Sequence, residues 1–305
     1  MPVHRGERWI GAALQSLAGE TDEGIEVLVL DSSPDSASMD LVRSFEDRLA
    51  IRTIDAGENG MWHAKTNAAA AAARADHLCW LHQDDLWLPR RARSLRAWIA
   101  EDPEAVLHLA PSAIIDAAGR RRGTWRCPLG MDGLVEQGLL LERLLVQNFV
   151  GVPAPLMRKD AFLACGGLDE TLWYTADWDL WLKLARRGRV RHHRAVTAAF
   201  RVHGSSLTVA GSHDGRDFER QMQVVLERHL PQLGAAAARV APASNASIMI
   251  NCALAAAAGG KLNGLVPAIL RVLALGPAGL RRYLRDSRIL ERAWPRVWAR
   301  LAGGL

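Results

Sequence analysis

Four cysteines in 305 residues, Cys79, Cys127, Cys165 and Cys252, have no paired spacing that suggests a zinc site or a disulfide framework, and this suits a reducing compartment such as the cytoplasm. No basic-then-apolar segment opens the chain. No uninterrupted apolar run reaches the ~18 residues of a membrane-spanning helix, so the expectation is a soluble or peripheral protein. Residues 1–260 have no basic stripe with interleaved aromatics and no nucleic-acid reader motif, which argues against a nucleic-acid partner. What remains is enough chain for a sizeable core, as one large domain or a domain with an appendage.

The net charge of +5 is unevenly placed. Residues 261–305 carry nine Lys or Arg against Asp286 and Glu291, a balance of +7, which leaves −2 for residues 1–260. A basic tail on a slightly acidic body points to an anionic surface met by the tail.

Apolar periodicity gives a coarse order of elements. Trp9, Ile10, Ala13, Leu14 and Leu17 have helical spacing, and residues 25–30 read as a buried strand ending in the turn-forming Asp31-Ser32-Ser33-Pro34-Asp35. A helix over 39–45, a strand over 51–54 and an Ala-rich helix over 61–75 follow, then a short strand over 77–81. Strands alternating with helices predict a mainly parallel sheet. Residues 106–109 and 113–116, the second followed by a Gly-Arg turn, suggest a change to antiparallel pairing. Helices are expected over 139–146, 158–164 (stopped by Gly166-Gly167), 178–186 and 218–229, and no strand in the tail, with helices over 247–258 and 265–275. A soft boundary near Gly211 divides residues 1–210 from a helical extension, 211–305.

The most informative stretch is Leu81-His82-Gln83-Asp84-Asp85-Leu86-Trp87-Leu88-Pro89. Two adjacent acids at the carboxyl end of a strand lie where open α/β sheets bind ligands, and hard oxygen donors suit Mg²⁺ or Mn²⁺. Taken alone, either acid also suits the cap of a helix starting near Leu88.

Other motifs fall in a fixed order around this one: Pro2-Val3-His4-Arg5, residues 25–31, Glu58-Asn59-Gly60 with Ala64-Lys65-Thr66-Asn67, then Gly166-Gly167-Leu168-Asp169-Glu170. Asp177-Trp178-Asp179-Leu180-Trp181-Leu182-Lys183 and Arg201-Val202-His203 with Ser205, Ser206 and Thr208 complete it. Over residues 1–209 this order resembles the inverting family 2 glycosyltransferases of the glycosyltransferase A fold. The resemblance implies an α/β fold with a mixed, mainly parallel sheet flanked by helices and, here, a C-terminal helical extension. The apolar strand that precedes Pro-Val in the family is missing from this chain.

The resemblance also implies roles. Asp31 and His4 would meet the donor nucleotide, with Asn67 lining the same pocket, although Asp31 also suits a turn and Asn67 a purely structural anchor. Lys65 ranks lower, since most lysines stay solvated. Asp84 matches the last acid of the family's Asp-x-Asp signature and would contact the metal. His82 stands where the first acid would be and addresses the ribose with fewer acceptors than a carboxylate. His203 would approach the diphosphate or metal, though a lone His is often structural. Asp177 corresponds to the general base, with Ala176 where Glu is frequent; Asp179 alternatively caps the helix. Asp85, Asp169, Glu170, Asp179 and Trp178 are expected on the acceptor side, and Trp178, Trp181, Trp173 and Trp87 are candidates for sugar stacking or core packing.

The expected function is therefore a metal-dependent inverting transfer of a sugar from a nucleotide-diphosphate donor, UDP-sugar favoured, to a hydroxyl of a glycan or lipid-linked acceptor, in surface polysaccharide or glycolipid assembly. The setting is cytoplasmic, at the inner face of a membrane met by residues 261–305, unless the tail helix packs on the body. The alternative is a non-catalytic descendant that uses the scaffold for binding or assembly, which His82, Ala176 and the missing strand favour. A nucleotidyltransferase on a related sheet would want a Gly-rich, basic phosphate loop after the first strand, and none is visible.

Overall fold

The structure, a computed structural model, describes residues 1–20, 24–56, 60–204, 215–258, 260–291 and 293. The expected Glu58-Asn59 loop, Ser205, Ser206, Thr208, the boundary near Gly211 and residues 294–305 lie outside the described residues.

Three parallel strands begin the fold: β1 (Pro2–Val3), β2 (Val27–Asp31) and β3 (Ile51–Asp55). Where a longer first strand is expected, two residues pair with Leu30 and Asp31. Residues 27–30 are buried throughout: Val27 and Val29 pack with Ile10, Ala13, Leu14 and Leu17 of α1 (Ile10–Ala18), and α3 (Trp62–Ala72) touches both β1 and β2. A short helix, α2 (Ala37–Arg43), joins β2 to β3.

The apolar run before the two acids forms only β4 (His77–Leu78), and after them comes β5 (Leu86–Trp87). The next helix, α4 (Arg91–Glu101), starts later than a cap at Asp84 or Asp85 would require. Its first turn is satisfied from a distance: the Glu20 carboxylate accepts from the backbone N–H of Arg90 and Ala92 at 2.6 and 2.8 Å. The acids are thus free of capping duty and sit on a loop between two very short strands.

The remaining sheet is mixed. One five-stranded part runs β4, β10 (Leu156–Arg158), β6 (Leu107–Leu109), β11 (Val190–His192), β9 (Gly133–Val135), with only β6 and β11 parallel. A four-stranded part runs β5, β12 (Ala198–Arg201), β7 (Ser112–Ile115), β8 (Arg121–Trp125). There β12 lies parallel to β7, and β7 and β8 form the antiparallel hairpin that the Gly-Arg turn predicts.

Helices α5 (Gln137–Val146), α6 (Lys159–Ala164), α7 (Ala176–Arg187), α8 (Gly215–His229) and α9 (Ala237–Ala258) share one core with β6 and β10. Trp181, fully buried on α7, meets Trp80 at 5.2 Å between ring centroids. The segment 231–257 is long and apolar enough, by length and composition, to cross a membrane, with 39% of its apolar window buried in the fold. Its Val240, Ala243, Ala246 and Ile248 are core residues, and α9 packs on α5 and α8. The tail continues as α10 (Leu265–Leu273) and α11 (Gly276–Ser287).

Helix α6 ends as its glycines predict. The N–H groups of Gly166 and Gly167 donate to the carbonyls of Leu163 and Phe162, and both glycines have positive φ. A Cβ on Gly167 would lie 2.6 Å from Asn67 Oδ1, whereas one on Gly130, also at positive φ, would meet nothing within 4 Å. Urea unfolding should therefore show Gly167→Ala costing about 2–3 kcal/mol and Gly130→Ala only about 1 kcal/mol. Equal costs would mean that Asn67 moves aside freely.

Candidate active site

The carboxyl end of β1, residues 82–84 and the end of β12 line a cavity of about 800 Å³. Its floor holds His82, Gln83, Asp84 and His203. Val3, His4, Arg5, Gly60, Trp62 and Lys65 line one side, and Gln147, Asn148, Thr175, Asp177 and Trp178 line another.

The floor is laced to β12. Arg201 donates its backbone N–H to Asp85 Oδ1 at 2.9 Å and its Nε–H to the Asp84 carbonyl at 2.6 Å, while its guanidinium lies 4.6 Å from the Trp9 ring centroid. Two residues on, His203 Nε2 meets Asp84 Oδ2 at 2.8 Å. This geometry gives the adjacent acids opposite character. Asp85 is buried and does not line the cavity; burial first, then the charge of Asp84, drives its carboxyl well above the usual range despite Arg201. Burial also pushes Asp84 upward, but the His203 hydrogen bond and the neighbouring imidazoles outweigh it and hold the carboxyl below its ordinary value. Asp84 is thus the ionised acid facing the cavity.

His82, Asp84 and Asp85 each bring one ligand atom within 4.8 Å of the others. His82 Nε2 and Asp85 Oδ2 are buried without a hydrogen-bond partner. Burial drives the His82 imidazole down to about 4, so it is neutral at pH 7 and able to coordinate. An ionised carboxylate, a neutral imidazole and an orphaned carboxyl oxygen fit a divalent cation. His203 is not among the three clustered ligand atoms, and its Nε2 is engaged by Asp84, so in this geometry it orients the acid.

Around the β1 exit, Gln83 exchanges two hydrogen bonds with the His4 backbone at 2.8 and 3.0 Å, and His4 Nδ1 lies 3.0 Å from the Ser32 carbonyl. Arg5 follows with φ +49°, an unusual left-handed conformation for a non-glycine residue, held by its N–H donating to Ser33 Oγ at 2.7 Å. Asp31 does not line the cavity. Its Oδ1 accepts from the N–H and hydroxyl of Ser33 at 2.9 and 2.6 Å, the turn arrangement that Asp-Ser-Ser-Pro also allows. Lys65 differs from the solvated lysine expected of it: it is buried, and Nζ donates to the Val3 carbonyl at 2.5 Å and Ser32 Oγ at 2.6 Å, pinning α3 to the two strand ends.

Asp177 lies in the first turn of α7 and lines the same cavity. It accepts from Asn148 Nδ2 at 3.0 Å and from the Trp178 N–H at 2.7 Å. Burial dominates these bonds and pushes its carboxyl up to about 6, the poise a general base needs near neutral pH. Trp178 anchors the same turn, its Nε1–H donating to the Leu144 carbonyl at 2.8 Å.

The other acceptor-side acids are engaged elsewhere, and none lines the cavity. Asp179 is fully buried, bound to Lys183 at 3.0 Å, His229 at 2.7 Å and Arg228 at 2.8 Å, and joins α7 to α8; it is not the cap, since that position is Thr175. Asp169 takes Arg228 at 2.9 Å, and Glu170 accepts from Asn67 Nδ2 at 2.9 Å. Asn67 is likewise outside the cavity lining and clamps the same loop, donating to the Leu168 carbonyl and accepting from the Leu168 N–H, both at 2.9 Å. Of the four candidate tryptophans, Trp173 and Trp178 line the cavity, while Trp87 and Trp181 are core.

Sequence reading missed Gln147 and Asn148, which follow α5 without any motif to mark them. It also missed Arg201 as the brace and Gln83 as the clamp of the His4 loop.

Raising the carboxyl of Asp177 has a cost with a definite sign. Ionisation of the native state is penalised above pH ~6, so the stability it gives is full below the unfolded value near 3.8 and is lost as pH rises through about 6. Asp177→Asn keeps an acceptor for Asn148 and removes the penalty. Thermal unfolding should find the variant about 1–3 kcal/mol more stable than wild type at pH ~8 and nearly equal at pH ~4. A variant less stable at the higher pH would contradict the assignment.

A sequence model described as Glycosyl transferase family 2 matches residues 1–160. An uncharacterized glycosyltransferase of Rickettsia typhi is 22% identical over 229 residues, covering 72% of this chain and 68% of the relative. One of Haemophilus influenzae is 24% identical over 194 residues, 60% of each. Among solved structures, S. aureus TarS superposes with a TM-score of 0.62 at 16% identity, covering 93% of this chain, which spans half the length of that one. TarS 1–349 in complex with UDP-GlcNAc gives a TM-score of 0.57 at 16% identity over 97% of this chain and 90% of its own. With that family match over more than half of its length, and with the fold of those structures, the chain belongs to glycosyl transferase family 2 and has the glycosyltransferase A fold.

Proposed function

We propose that the protein transfers a sugar from a nucleotide-diphosphate donor to an acceptor hydroxyl, with inversion and with Mg²⁺ or Mn²⁺. The observation that carries this reading is that the ionised Asp84 and the raised Asp177 line one cavity. Solved relatives of the same fold hold UDP and UDP-GlcNAc, which supports a UDP-sugar.

In this reading the His4–Arg5 loop and the turn ordered by Asp31 receive the nucleotide base. His82, a neutral imidazole, faces the ribose. Asp84, oriented by His203, is the acid that holds the cation, with His82 and Asp85 as the other donors in reach. When bound, the cation supplies positive charge against the leaving diphosphate. Asp177 takes the proton of the acceptor hydroxyl as that oxygen bonds to the anomeric carbon, while the carbon–oxygen bond to the diphosphate breaks on the opposite face. Asn148 fixes the orientation of the base. Asn67, Asp169, Glu170 and Asp179 shape the acceptor side indirectly, by fixing the 167–170 loop and joining α7 to α8. The acceptor class is a glycan or a lipid-linked glycan.

A second reading, a binding protein without turnover, is favoured by His82 standing where an acid would otherwise address the ribose. Calorimetry and donor hydrolysis separate the two. We expect UDP to bind in a Mn²⁺-dependent manner, and Asp84→Ala to abolish that dependence. Asp177→Asn should bind UDP normally and hydrolyse a UDP-sugar about 10²–10⁴-fold more slowly than wild type. Metal-dependent binding with no turnover of any nucleotide sugar would favour the second reading, and absence of binding would defeat both.

A further inference from the structure

The helices after residue 260 present two adjoining features that the transfer reaction does not use. Leu262, Val266, Ile269, Leu270 and Leu273 recur every three or four residues along α10 and its entry, and each is at least half exposed. The opposite face of the helix, Ala268 and Val272, is buried, and α10 packs on α9. One amphipathic helix therefore lies on the body with a complete apolar stripe facing outward.

Beside it, α9, α10 and α11 enclose a hollow of about 720 Å³ lined by Arg239, Arg271, Arg281, Arg282 and Arg285. Its remaining lining is mainly small side chains, Ala243, Ala274, Ala278 and Gly279 among them, so the space between the guanidinium groups is not filled. Two carboxylates balance part of the charge. Glu142 takes Arg239 and Arg282, the latter at 3.2 Å, and Asp286 takes Arg285 at 2.6 Å and Arg143 at 3.5 Å. Arg271 and Arg281 are exposed, and no carboxylate partner is found for either among the described residues. Arg271 stands within the apolar stripe's own helix, between Leu270 and Leu273, so the charged hollow and the stripe are continuous.

We propose that this hollow is a binding site for the phosphate headgroup of an anionic lipid, with the α10 stripe entering the bilayer beside it. A free phosphate or a nucleic-acid backbone would account for the arginines but would leave five exposed aliphatic side chains with no partner. A neutral apolar partner would bury the stripe and strand the guanidinium groups. A headgroup over its acyl chains satisfies both. The expected membrane contact of residues 261–305 is thereby narrowed to α10 and the arginines beside it. On α11, Arg282 pairs with Glu142 of α5 and Arg285 with its own neighbour Asp286, while five aliphatic side chains at least half exposed lie along α10 and its entry.

The test is sedimentation of the full chain with vesicles of phosphatidylcholine alone and with added phosphatidylglycerol, read alongside UDP binding. The protein should pellet with the anionic vesicles only. Arg271→Ala with Arg281→Ala should lower the partition coefficient about 30-fold. Ile269→Ser with Leu273→Ser should lower it about tenfold or more. Neither pair should change UDP affinity, which shows that the variants fold and keeps this result separate from the transferase reading. Equal pelleting with neutral vesicles, unchanged pelleting of both variants, or release of the vesicles by inorganic phosphate or duplex DNA at matched ionic strength would overturn the proposal.

Discussion

The site depends on one brace, the grip of Arg201 and His203 on the adjacent acids Asp84 and Asp85. Two carboxylates side by side in a partly buried loop repel, and desolvation penalises both. The fold resolves the conflict by burying Asp85 against the Arg201 backbone and turning Asp84 toward His203 and the cavity. One acid then fixes the loop and the other is presented in ionised form. The brace needs β12 beside β5, which in turn needs β12 parallel to β7, so the sheet order underlies the chemistry of two residues.

The same dependence on distant partners explains which parts of the structure were legible in the sequence. Helix α1, strand β2 and helix α7 carry complete apolar patterns of their own and read correctly to within a few residues, as did the stop at Gly166-Gly167. Asp84 was legible through its place after an apolar run and within an ordered set of motifs. The division of labour between Asp84 and Asp85 was not, because it is set by residues more than a hundred positions away. Asn67, Asp169 and Asp179 stand in recognisable motifs, yet their partners Leu168, Arg228 and His229, some fifty or more positions away, are visible only once the chain is folded. Strands of two residues such as β4 and β5 carry no periodicity at all and exist through their neighbours.

The helical extension is part of the site's construction. Gln147, which lines the cavity, is held by Ser247 Oγ and Asn251 Nδ2 of α9, each donating to its Oε1 at 2.8 Å. Met222 of α8 lines the same wall. Asn148, next to Gln147, orients Asp177, so packing of the extension against α5 reaches that carboxyl through two adjacent side chains. A surface that seats the outer helices on a bilayer would thus set the orientation of the cavity mouth relative to that bilayer.

The central claim is that Asp84, oriented by His203, is where a cation and a nucleotide diphosphate meet. Diffraction at the manganese absorption edge from crystals grown with Mn²⁺ and UDP tests it directly. The account predicts one anomalous peak at roughly 2.1 Å from an Asp84 carboxylate oxygen and in contact with the diphosphate. A peak elsewhere in the cavity, or UDP bound with no peak beside Asp84, would contradict it.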